Sequence, residues 1–132
     1  MAKQFTLGKN ERLKSRKQIE LLFSKGKKFV VAPFRIFYIS TKYEVRSTSS
    51  PLQFGIGVSA KNFKRAVDRN RIKRLTREAW RLQKNELIQK LATADQQLNV
   101  FFIYTNKELP EYSLVFDKTG AAIKKLIKEI EQ

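Results

Sequence analysis

The chain has 132 residues, 42% of them apolar, which suits one domain with one modest core. Its 28 lysines and arginines against 12 acidic residues give a net charge of +16, and such a surplus calls for a polyanionic partner. There is no cysteine and no histidine, which excludes disulfides, Cys-based zinc sites and the commonest general base. The acidic residues are scattered, so no constellation for hydrolysis stands out, and a free-standing nuclease is disfavoured. No apolar run approaches the length of a membrane span, and residues 1–10 lack the apolar core of a signal peptide. A cytoplasmic location with no membrane partner is the expectation.

The positive charge is concentrated. Residues 1–60 carry 12 basic and 3 acidic side chains, and residues 61–84 carry 10 and 2. Residues 85–132 carry 6 and 7, so the final third reads as scaffold and the partner surface lies before it. Residues 1–11 read as a basic arm whose order is left open.

In chain order, Ser15 and Gln18 fit the N-cap and N3 of a first helix that buries Ile19, Leu22 and Phe23 and stops at Gly26. Residues 29–43 are β-branched and aromatic, a strand with apolar side chains on both faces and restricted near its start by Pro33. A short extra strand fits at Lys27–Val31. Residues 53–59 form a second strand, whose Gly55 and Gly57 share a face and admit a close neighbour, backbone or ligand. A long helix follows over residues 65–91, then a buried strand over 98–104. Phe101 and Phe102 of that strand are assigned to the core. A closing helix over 111–130 turns Leu114, Ala121, Ile123, Leu126, Ile127 and Ile130 inward. The order α-β-β-α-β-α predicts a single-domain α+β sandwich.

On a wheel of the long helix, Ile72, Leu75, Thr76, Ala79, Trp80 and Leu82 form a wide apolar face. Lys73, Arg74, Arg77, Arg81 and Lys84 share one stripe around Asn70 that contains no acid. Asp68 and Glu78 fall off the stripe. A solvated face ordinarily mixes signs at i,i+4, whereas an acid-free stripe suits a phosphate backbone, which arginine forks grip bidentately.

The segment Phe54-Gly55-Ile56-Gly57-Val58-Ser59, followed by Lys64-Arg65-Ala66-Val67-Asp68-Arg69-Asn70-Arg71-Ile72-Lys73-Arg74, resembles the signature of the bacterial ribonuclease P protein subunit. The resemblance extends to Arg12-Leu13-Lys14, Phe23, Gly26 and residues 34–38. It implies a partner, ribonuclease P RNA, that itself cleaves the 5′ leader from precursor tRNA using Mg2+ held mainly by the RNA. The protein alone is then expected to bind no metal and to have no catalytic residue, as a monomer in a 1:1 complex. The resemblance also implies a left-handed crossover between parallel strands around the arginine-rich helix.

Carried over by position, Arg69, Asn70, Arg71, Lys73 and Arg74 would meet the catalytic RNA, and Arg77 and Arg81 continue their stripe. Phe23, Phe37, Ser59 and Lys61 would form the cleft for the leader, with Arg12, Lys14, Lys64 and Arg65 as accessory cations. Core packing remains the alternative for Phe23 and Phe37. Ala60 stands where many relatives carry a second lysine, and Ile19 where an aromatic is common. Two rivals are weighed: a general or ribosomal-type RNA-binding protein, and a peripheral membrane protein using a basic amphipathic helix, which would need Ile72, Leu75 and Trp80 exposed to lipid although the strands need them as cover.

Overall fold

The computed structural model describes residues 12–13, 15–42 and 51–131. The basic arm over 1–11 and the accessory residue Lys14 therefore lie outside the described residues. The elements are α1 (Arg16–Lys25), β1 (Lys27–Val31), β2 (Phe34–Lys42), β3 (Leu52–Val58), α2 (Ala66–Gln83), α3 (Asn85–Ala94), β4 (Gln96–Tyr104) and α4 (Tyr112–Glu131). The α+β order of the sequence reading is present, with two subdivisions.

The short extra strand expected at Lys27–Val31 is present as β1, and it makes the apolar stretch read as one strand over 29–43 a hairpin. Pro33, which has no N–H for a ladder, sits in the turn, and the short strand β1 pairs antiparallel with β2 from Lys27↔Tyr38 to Val31↔Phe34. The helix expected over 65–91 is likewise two helices. Lys84 stands at the junction and is almost fully buried, so it leaves the basic stripe to which the wheel assigned it. Beside it, Gln83 donates from Nε2 to the carbonyls of Ala79 and Phe116, tying the end of α2 to α4. α3 ends at Asp95 in the left-handed conformation (φ 56°), which short polar side chains tolerate.

The sheet order is β1-β2-β4-β3, with β3 and β4 parallel and the other pairs antiparallel. Parallel neighbours need a crossover, and α2 with α3 supplies it. One sheet face carries the main core. There Trp80 of α2 stacks on Phe54 (centroids 4.3 Å apart, planes at 13°) and meets Phe102 edge-on at 5.6 Å. α4 closes this core with Val115, Ala122, Ile123, Leu126, Ile127 and Ile130. Leu114 and Ala121, expected inward, are exposed, because the buried stripe runs through Val115, Thr119 and Ala122, about 100° away from each. Leu82 is exposed for the same reason, at the margin of the α2 stripe.

The opposite sheet face carries a smaller cluster under α1. Leu22, Leu13 and Phe101 are buried there, with Ile19, Phe37, Ile39 and Ile103 packed around them. β2 is thus apolar on both faces because each face has its own cover. Ser15 caps α1 as expected, its Oγ accepting from the Gln18 N–H at 3.4 Å. At the other end the Gly26 N–H donates to the Leu22 carbonyl, and the chain leaves extended.

Candidate nucleic-acid interface

α2 lies across the main core with Ile72, Thr76, Ala79 and Trp80 buried, which turns its charged side outward. Asn70, Arg71 and Arg74 are exposed and border an open recess with Val67 and Asp68. Lys73 and Arg77 are half-buried beside them.

Arg69 differs from its neighbours. One terminal guanidinium nitrogen donates to the carbonyls of Phe63 (2.7 Å) and Lys64 (3.0 Å), so the side chain fastens the loop before α2 to its first turns. Arg65, the N-cap, makes no side-chain cap bond, and Arg69 does the fastening from within the helix.

At the other end, Arg81 makes a bidentate ion pair with Glu78, one turn back. The hydrogen bonds from Arg81 hold the Glu78 carboxyl below its usual range and raise the Arg81 guanidinium above its own. The stripe expected to be acid-free therefore has a carboxylate folded onto its last turn. With Lys84 buried as well, the cations of the stripe that make no ion pair among the described residues are Lys73, Arg74 and Arg77, around Asn70.

Arg77 gains a neighbour that chain order does not suggest. Arg12 forms an isolated parallel bridge with Phe54, and the Leu13 N–H donates to the Phe54 carbonyl at 2.9 Å. This lays Arg12 along the free edge of β3, next to α2. Burial and then the charge of Arg12 hold the Arg77 guanidinium below the ordinary arginine value. Both residues line a recess of about 210 Å³ shared with Ile19, Gly55 and Phe101.

The candidate cleft residues come together in two groups. Phe23 of α1 is 45% exposed and meets Phe37 edge-on at 4.9 Å and Phe101 at 5.5 Å. Phe37 and Phe101 are cross-strand partners, in register with Gly55. Phe101 is buried as expected, but in the small cluster beside the cleft and not in the main core. The close neighbour admitted by Gly55 and Gly57 is the Phe101 ring, which lies 2.6–3.2 Å from where their Cβ atoms would stand.

Ser59 is the next position on that strand face, about 13 Å along from Gly55. Its Oγ accepts from the Lys61 N–H at 3.1 Å, and its carbonyl accepts from the Phe63 N–H at 3.1 Å. The resulting turn holds Lys61, Lys64 and Arg65 exposed between the cleft and α2. Nothing in local sequence signals the roles of Phe101 or of the Arg12–Arg77 pair, since both depend on long-range register. Among the described residues, no group of three acidic, histidine or cysteine side chains could hold a metal ion, and no helix is long and apolar enough to cross a membrane.

Comparison with known proteins agrees with this architecture. The family model Ribonuclease P matches residues 7–130. The ribonuclease P protein component of Porphyromonas gingivalis is 40% identical over 111 residues, covering 84% of this chain and 79% of that protein. That of Chlorobium phaeobacteroides is 34% identical over 117 residues, covering 83% and 80%. Among solved structures, the RNase P protein from Thermotoga maritima aligns with a TM-score of 0.62 at 24% identity, over 87% of this chain and 96% of that one.

Proposed function

Because the chain belongs to the ribonuclease P protein family, we propose that it is the RNA-binding, non-catalytic subunit of that tRNA-processing ribonucleoprotein, joining catalytic RNA to precursor tRNA. The exposed side of α2 docks on the catalytic RNA. Arg71, Lys73, Arg74 and Arg77 pair with phosphates, Asn70 hydrogen-bonds between them, and each neutralised phosphate releases counterions. Arg69 contributes by holding the loop that presents Lys61, Lys64 and Arg65.

The 5′ leader lies in the cleft floored by Phe37 and walled by Phe23, with Ser59 and Lys61 beyond. Stacking on aromatic faces tolerates any base, at roughly 1–3 kcal/mol each, which suits leaders of varied sequence. Mg2+ is held mainly by the RNA and supplies the hydrolytic chemistry there. This chain's residues bind, orient and neutralise. The assembly is one protein monomer with one RNA, acting in the cytoplasm.

The observation that carries this reading is the exposed cation set around Asn70, on a helix whose opposite side is locked into the core. The test is cleavage of precursor tRNA by the cognate ribonuclease P RNA at low magnesium, with and without the protein. Stimulation by the protein is expected. No stimulation over RNA alone would overturn the proposal and leave a general RNA-binding protein, whereas cleavage by the protein alone would make it a nuclease.

A further inference from the structure

We infer that Lys28 and Arg35 extend the leader track beyond the aromatic cleft, each holding a phosphate of the unpaired strand on the open part of the sheet. This rests on the reading of the cleft as the leader site and adds its outward course. On the face beneath α1, register places two rows side by side, Lys28–Phe37–Phe101–Gly55 and Val30–Arg35–Ile103–Gly57. α1 covers the inner part of this face, with Leu22 buried against it. Toward β1 the cover ends: Lys28 and Arg35 are exposed and Val30 is 61% exposed.

Phe37 therefore has a lysine as its cross-strand neighbour, at roughly 5 Å between Cβ atoms, and an arginine two residues back along its own strand, roughly 7 Å away. No acidic residue occupies this face of any of the four strands, and neither cation makes a salt bridge among the described residues. A partly exposed aromatic flanked by cations on a sheet is the arrangement that binds single strands without reading them: the ring takes the base and the cations take the backbone. A lysine on an edge strand also discourages sheet-to-sheet pairing, which would account for Lys28 alone. It does not account for Arg35, which stands on β2, between β1 and β4.

The test uses the protein reconstituted with its cognate RNA and precursor tRNAs with leaders of graded length, comparing wild type with Lys28→Gln/Arg35→Gln. Both sites are exposed, so the fold is retained. With long leaders, substrate affinity is expected to fall several-fold and its salt slope to decrease by about 1.4, two single-strand phosphate contacts. Arg35→Lys with Lys28 intact is expected to keep most of the slope. With leaders cut back to the nucleotides at Phe37, the double variant should match wild type. A loss independent of leader length, or weaker binding of the catalytic RNA itself, would overturn the inference. Phe37→Ala separates the two levels. If it impairs leader binding while the double variant does not, the assignment of the cations fails; if it has no leader-dependent effect, the cleft reading fails beneath it.

Discussion

The Phe101 ring occupies the space that a side chain at Gly55 would need, with two ring carbons 2.6 and 2.7 Å from that Cβ position and the Leu13 carbonyl 3.1 Å from it. The ring cannot swing away freely, because Leu22 and Leu13 are buried against it and Phe23 meets its edge. Gly55→Ala is therefore expected to destabilise the protein by about 1–3 kcal/mol, the usual cost of overpacking. Thermal or denaturant unfolding would measure it, and an unchanged midpoint would show that the ring has room to move.

Phe23 and Phe101 touch but should behave differently. Phe23 is 45% exposed and Phe101 only 9%. Phe101→Ala is expected to cost about 3–5 kcal/mol of stability as a core truncation. Phe23→Ala should cost much less stability and instead lower affinity for leader-bearing precursor by about 1–3 kcal/mol relative to mature tRNA. Equal losses for both tRNAs would assign Phe23 to packing.

Arg69 and Arg74 belong to one motif but carry different loads. Arg74→Ala should weaken RNA binding and flatten its salt dependence by about 0.7–0.9 in slope, with stability unchanged. Arg69→Ala should in addition lose about 1–2 kcal/mol of stability, because two carbonyls give up a charged donor. Equal stability for the two variants would remove the fastening role.

Glu78 offsets one cation of α2, so Glu78→Gln should strengthen RNA binding and steepen its salt dependence. Its carboxyl is held below the ordinary value in the folded protein, so its contribution to stability is present above the unfolded glutamate pKa, about 4.3, and is lost as pH falls through the lower folded value. The stability difference between wild type and Glu78→Gln should therefore shrink on acidification. A difference that grows toward low pH would contradict the ion pair.

Arg12 and Arg77 place like charges side by side without an intervening acid among the groups that shift Arg77. Arg77→Gln is expected to leave the free protein equally stable or stabilise it by a few tenths of a kcal/mol, as for other partly exposed charges. It should still reduce RNA affinity. Loss of both stability and affinity would mean that Arg77 supports the fold.

The two sides of α2 were legible in the sequence because a helix repeats every 3.6 residues, so Ile72, Ala79 and Trp80 against Asn70, Lys73, Arg74 and Arg77 follow from spacing alone. The two-faced character of β2 was equally legible from the alternation of Phe34, Ile36 and Tyr38 with Phe37 and Ile39. Spacing could not show that Lys84 turns inward at a helix junction, since the wheel assumes a continuous helix. It also could not show that Glu78 reaches Arg81, because that is a choice of side-chain rotamer.

Composition and periodicity, which are local properties, thus determined the charge that a partner must carry, the α+β class and the outward side of the basic helix. Tertiary structure alone decided what those elements meet: Phe101 against Gly55, Arg12 beside Arg77, and Lys28 across from Phe37. Phe101 meets Gly55, and Lys28 meets Phe37, only because strand register pairs them, whereas Arg12 meets Arg77 because α2 packs beside the edge of β3. A one-residue slip would send every such side chain to the other face of the sheet.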